Sequence, residues 1–201
     1  MKKRTAFIGA ILSLIPLGQP LIIKTSAVLS TTGLMFSFSE KAYAGDNSYY
    51  FNRAYDKADR GDQYGAISDY TKAIEIDPND DHAYHNRGVA RESLGKCYEA
   101  IADYIKAIEI KAYRPTSYHG MGYCKSELGD HYGAISDYTK AIELNPKYEK
   151  AYYNRGISKY SLKDYYGAIS DYTKAIEINP NKDKAYNNRG IAKDELKDYY
   201  G

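Results

Sequence analysis

From Asn47 onward the chain repeats itself every 34 residues without an insertion or deletion. The units are 47–80, 81–114, 115–148, 149–182 and a partial 183–201. The string Ala-Ile-Ser-Asp-Tyr-Thr-Lys-Ala-Ile-Glu stands at 66–75, 134–143 and 168–177, and a variant, Ala-Ile-Ala-Asp-Tyr-Ile-Lys-Ala-Ile-Glu, at 100–109. A fixed period of this length restricts the chain to stacked supersecondary units. Each unit is too small to bury its apolar face alone.

Two helical patterns alternate with two breaks inside every unit. The first runs from a Tyr near its start (Tyr50, Tyr84, Tyr118, Tyr152, Tyr186) to Leu94, Leu128, Leu162 or Leu196, where a Gly or Lys-Asp turn follows. The second carries apolar residues three and four apart, as in Ala66, Ile67, Tyr70, Ala73 and Ile74, which is the stripe of an amphipathic helix. It stops at Asp77-Pro78, Asn145-Pro146 and Asn179-Pro180, because Pro cannot continue a helix. Small residues recur where the two helices must approach: Ala54, Gly88, Gly122, Gly156 and Gly190 on the first, and the Ala66 and Ala73 series on the second. Anything larger than Ala would hold the backbones apart.

This small–aromatic–small spacing with a closing Pro resembles the tetratricopeptide repeat family over residues 47–201. The resemblance implies an all-α fold, a right-handed superhelical solenoid of antiparallel helix pairs, whose first helices line a concave face. Three departures stand out. The aromatic near each unit's start is Tyr rather than Trp, and the second unit ends in Lys111-Ala112, so its exit turn is expected to be looser. The fifth unit stops at Gly201, before a second helix; its first helix then covers the open face of the fourth unit, or the array is truncated.

Arg53, Arg87, Arg155 and Arg189 precede the small residue of the first helix, and Asp69, Asp103, Asp137 and Asp171 precede the second-helix Tyr. We expect each Arg to meet the Asp across its helix pair and fix the register. The third unit breaks the rule with Met121.

Residues of the concave face follow from the resemblance and the spacing. The fifth places are Phe51, His85, His119, Tyr153 and Asn187; the sixth are Asn52, Asn86, Gly120, Asn154 and Asn188; the ninth are Tyr55, Val89, Tyr123, Ile157 and Ile191. Asn can both donate to and accept from an extended backbone, and aromatic rings give contact area at low entropy cost. The expected ligand groove therefore contains Phe51, Asn52, Tyr55, His85, Asn86, His119, Tyr123, Tyr153, Asn154 and Asn188, and the expected partner is another protein or peptide. Members of the family that clamp chaperone tails use a cationic half around such an Asn. Here Asn86 is flanked instead by Phe51, Tyr55, His119 and Tyr123, so a carboxylate terminus has no charge partner.

Chemistry is sparse elsewhere. No nucleophile triad order, phosphate loop or HExxH is present, so no enzyme and no cofactor are expected. His82, His85 and His119 fall along one helix face and the next, a remote metal candidate without a fourth ligand. Cys97 and Cys124 lie in adjacent units; they are either a bridge or two small buried thiols.

Residues 1–44 differ in composition from the rest. Lys2, Lys3 and Arg4 precede the uncharged stretch 6–23, and the segment closes on Ala42-Tyr43-Ala44. That order describes an export signal cleaved before Gly45, with delivery to the periplasm, a lumen or the exterior; an uncleaved membrane anchor over 6–23 is the alternative. A mature terminus at Gly45 indicates a free scaffold, and one at Met1 a membrane-tethered organiser or oligomerisation spacer. With this segment set aside the body is near neutral with mixed charge, which gives no footprint for nucleic acid.

Overall fold

The computed structural model describes residues 46–112 and 114–198, so the proposed export signal or anchor in 1–44 lies outside the described residues. Among these residues all regular structure is helical. The elements are α1 (Asn47–Asp59), α2 (Gln63–Ile76), α3 (Asp81–Ser93), α4 (Cys97–Ile110), α5 (Pro115–Glu127), α6 (His131–Leu144), α7 (Glu149–Ser161), α8 (Tyr165–Ile178) and α9 (Asp183–Asp198). None of them is long and apolar enough to cross a membrane.

Local sequence sets where the helices begin and turn. Asp62, Asp130 and Asp164 accept from the backbone N–H three residues on, at 2.9, 2.8 and 2.9 Å, and so satisfy an orphan donor of α2, α6 and α8. The hairpin inside each unit needs one left-handed residue. Gly61, Gly95 and Gly129 supply it with φ of 86°, 71° and 84°, while the fourth unit forces Lys163 to 63°. Helix α4 closes as its siblings do, with Lys111 N–H donating to the Ala107 carbonyl as Asp77 N–H does to Ala73, while the exit turn expected to be looser includes residue 113, outside the described residues.

Each first helix packs on its own second helix, and each second helix on the next first helix. The first helices also touch their successors, α1 with α3, α3 with α5 and α5 with α7, as they would along the inner wall of a curved stack. The expected all-α solenoid of helix pairs is what forms.

The core is a column of small residues and tyrosines. Tyr70, Tyr104, Tyr138 and Tyr172 are buried, with the Ala series on either side of them. Close approach is strict at Gly88, Gly122 and Gly156, where an added Cβ would lie 2.8, 2.9 and 2.7 Å from the ring of Tyr104, Tyr138 and Tyr172. The first unit holds Ala54 at this place, fully buried.

The expected Arg–Asp pairs form. Arg53 to Asp69, Arg87 to Asp103 and Arg155 to Asp171 are bidentate at 2.6–3.0 Å, and a second cation, Lys57, Arg91 or Lys159, joins each carboxylate. Arg87 and Arg155 also donate to Thr71 and Thr139 of the preceding second helix, at 3.0 and 2.9 Å. One guanidinium thus ties three helices. The third unit lacks Arg, and Ile105 stands where the preceding Thr would be. There, among the described residues, Asp137 pairs with Lys125 alone, at 2.7 Å. Burial raises the pKa of Asp69, but the hydrogen bonds from Arg53 and Lys57 outweigh it and hold the carboxyl below its ordinary value. At Asp137 burial wins over Lys125, and the pKa is raised.

Candidate functional site

The fifth-place side chains are anchored in the wall. Phe51, His85, His119 and Tyr153 set their rings 5.5–5.9 Å from Tyr70, Tyr104, Tyr138 and Tyr172. A regular offset of 19 residues brings each pair together. Each of these four residues is half-buried.

These rings then link consecutive units. Asn154 Nδ2 donates to His119 Nε2 at 3.0 Å, and Asn188 Nδ2 donates to the Tyr153 hydroxyl at 3.1 Å. Both bonds run from a sixth place to the fifth place of the preceding unit. Where the sixth place is Gly120, His85 turns to the buried Ser117, 2.8 Å from its Nδ1. Where the fifth place is Phe51, no acceptor exists and Asn86 stays without a side-chain hydrogen bond among the described residues. Asn52, in the first unit, is exposed. The Asn series is therefore divided: Asn154 and Asn188 hold the wall together, and Asn52 and Asn86 retain their hydrogen-bonding capacity.

Burial holds both histidines neutral. The pKa of His85 falls to about 4, chiefly through burial and then the nearby Arg114 and His82 charges, against an opposing pull from Asp81. That of His119 also falls to about 4, through burial and the Lys150 charge. His82 is largely exposed, with Nε2 3.9 Å from Asp81. The three rings do not converge, and no group of three ligand-type side chains able to hold a metal occurs among the described residues. Cys97 and Cys124 are free and buried against each other, where burial pushes the Cys124 thiol upward.

Four of the five ninth places are exposed, Tyr55 at 59%, Val89 at 42%, Tyr123 at 37% and Ile191 at 43%, which makes an apolar row along the first helices interrupted at Ile157, half-buried against the core of the fourth unit. Two hollows open beside it in the same register. One, of about 210 Å³, is lined by Tyr55, Ala58, Tyr70, Asn86 and Val89 among others. The other, of about 250 Å³, is lined by Ile157, Tyr160, Tyr172, Asn188 and Ile191. Each has a core Tyr as floor and a sixth-place Asn at its edge. Between the second and third units the same place is occupied differently: Tyr104 donates to Glu92 Oε2 at 2.6 Å, and a Cβ on Gly120 would sit 2.5 Å from its ring. A larger hollow of about 480 Å³ lies between α5 and α6, lined by Tyr118, Ser136, Asp137, Thr139, Lys140 and Glu143.

The spacing did not reveal the role of Glu92, a twelfth-place carboxyl whose pKa burial raises against the lowering effect of Tyr104. Nor did it reveal the wall bonds of His119 and Tyr153. A fifth-place donor or acceptor followed 35 residues later by Asn is the signal that would have found them.

Family models described as tetratricopeptide repeat match residues 149–182 and 81–113, and one described as TPR repeat matches 54–95 and 125–163. No curated protein matches the sequence. Among solved structures the chain is similar to MamA protein, at 27% identity and a TM-score of 0.70, over 79% of this chain and 89% of that one. It is similar to the first TPR of Spaghetti (RPAP3) bound to HSP90 peptide SRMEEVD, at 28% identity and a TM-score of 0.57, over 58% and 92%. YrrB, described as a TPR protein with an unusual peptide-binding site, shares the fold at 21% identity and a TM-score of 0.68, over 81% and 84%.

Proposed function

Because the chain belongs to the tetratricopeptide repeat family, whose arrays are protein-interaction scaffolds, we propose that its concave face binds an extended peptide segment of a partner protein through apolar anchors. The observation that carries this reading is the exposed ninth-place row, Tyr55, Val89, Tyr123 and Ile191, beside two register-matched hollows. Exposed apolar side chains repeated along one face favour a partner that covers them. Asn52 and Asn86 offer main-chain hydrogen bonding next to that row. The RPAP3 relative is bound to an acidic peptide. In this chain the places around Asn86 hold Phe51, Tyr55, His119 and Tyr123, so the ligand it fits is apolar or aromatic rather than an acidic terminus. The sequence signal in residues 1–44 supports a partner met outside the cytoplasm.

The test begins with selection of binders from a displayed library of random linear peptides. Affinity is then compared for the wild type, Asn86→Ala, Val89→Asp and, as an outer-surface control, Tyr132→Ala. We expect about tenfold weaker binding for Asn86→Ala and a larger loss for Val89→Asp, with Tyr132→Ala unchanged. Equal affinity across all four proteins would remove the groove from consideration.

A further inference from the structure

In three units the carboxylate before the core Tyr is held by two cations. Arg53, Arg87 and Arg155 give Nη2 to its Oδ1 at 2.6–2.7 Å, and Lys57, Arg91 or Lys159 comes to its Oδ2 at 2.7–2.8 Å. The same guanidinium lies over the Tyr three residues before it, with its Cζ 5.1–5.5 Å from the ring centre of Tyr50, Tyr84 or Tyr152. The third unit keeps the ring and the carboxylate, as Tyr118 and Asp137, and holds Met121 at the Arg position. Met121 is buried in the apolar cluster of Cys97, Tyr104 and Cys124. Among the described residues Asp137 has Lys125 on Oδ2, and no guanidinium reaches its Oδ1. Tyr118 and Asp137 are instead two walls of the hollow of about 480 Å³, together with Thr139, Lys140 and Glu143. Lys140 is engaged by Glu143 at 3.0 Å.

We propose that this hollow binds an alkylguanidinium group brought by another molecule, with Asp137 as its anion and the Tyr118 ring as its apolar face. The chemistry of the occupant is read from the three units in which the same carboxylate and the same ring hold a guanidinium of the chain itself. A planar guanidinium answers a carboxylate edge and an aromatic face together. An ammonium is a point charge, and one already stands on Oδ2. The local charges also favour a cation, because Asp130, Asp137 and Glu143 face only Lys125 and Lys140. Met121 keeps its apolar packing while the ligand is bound, which an Arg at that position could not do. None of the lining residues belongs to the ninth-place row, so this site is separate from the peptide groove.

The experiment uses the 201-residue chain and follows the carboxyl carbon of Asp137 and the ring of Tyr118 by NMR as Nα-acetylarginine amide is added. Saturable, roughly millimolar binding is expected, with a fall in the Asp137 pKa. The neutral isostere Nα-acetylcitrulline amide should bind about tenfold or more weakly, as should the arginine compound to Asp137→Asn, followed at Tyr118. Ile105→Thr/Met121→Arg supplies a guanidinium from within and should lose the binding. Free arginine and a blocked peptide with one Arg then separate the sources. Tighter binding of the peptide assigns the site to a polypeptide side chain, tighter binding of free arginine assigns it to a small molecule, and either supports it. The proposal is overturned if neither signal responds, if citrulline binds as well, or if Asp137→Asn or the double variant binds unchanged.

Discussion

Single positions decide whether a repeated side chain serves the wall or the ligand. His85 and His119 occupy the place that Phe51 and Tyr153 fill in other units, and burial keeps both imidazoles neutral with pKa values of about 4. An unfolded His titrates near its ordinary value of about 6.5, so the unfolded chain takes up protons first as pH falls. Stability contributed by these rings is complete above that value and is lost as the pH drops toward 4. The loss is roughly 3 kcal/mol per ring. We expect the double variant His85→Phe/His119→Phe to lose less stability than wild type between pH 7 and pH 4, measured by urea unfolding; parallel curves would refute the assignment. Phe is the natural occupant at Phe51, so the substitution keeps the ring contact with the core Tyr. Of the groove residues inferred from spacing, Tyr55 and Tyr123 are outward-facing, while Asn154 and Asn188 are spent on neighbouring units. Spacing gives the face on which a side chain lies. It does not give the partner 35 residues away, which depends on whether that partner is His, Tyr or Phe.

At the scale of the helix, the sequence was easiest to read where chemistry and period agree. The Asp caps of α1, α2, α3, α6 and α8, the hairpin glycines after α1, α3 and α5, and the prolines closing α2, α6 and α8 mark most boundaries, while α4, α5 and α7 begin without a side-chain cap. The Arg–Asp pairs were also legible, because a fixed offset of 16 residues returns three times. Their third contact was not. Thr71 and Thr139 read as ordinary surface residues of α2 and α6, and only the stacking angle between units brings them to the guanidinium. One hairpin departs from its siblings, with Lys163 in the left-handed region at φ 63°. A β-carbon there is strained by about 1 kcal/mol, and glycine relieves it at some cost in unfolded-state entropy. Lys163→Gly should therefore raise the denaturation midpoint by the equivalent of about 0.5 kcal/mol, seen in equilibrium guanidinium unfolding. A lower midpoint would mean that the Lys side chain makes a compensating contact.

For the whole molecule, stability is a sum of unit and interface terms, so a change of interface chemistry acts at one junction. The junction between the second and third units replaces the Thr–Arg tie with Ile105 and Met121, and sets Met121 in an apolar cluster with Cys97, Tyr104 and Cys124. The two departures compensate each other. Met121→Arg alone should fail to stabilise, since one guanidinium edge would face Ile105. The pair Ile105→Thr/Met121→Arg should show a favourable coupling of about 1 kcal/mol in a double-mutant cycle, with the Asp137 pKa lowered. Additive effects would argue against the tie as a unit-to-unit link. The same arrangement governs how the gene can change length. Unequal exchange between near-identical copies removes or adds 34 residues at a time. Loss of residues 149–182 would bring Thr139 beside Arg189 and recreate an existing junction. Loss of residues 115–148 would bring Ile105 beside Arg155 and create one the molecule does not contain. The array is thus free to shrink or grow on one side of its third unit and constrained on the other.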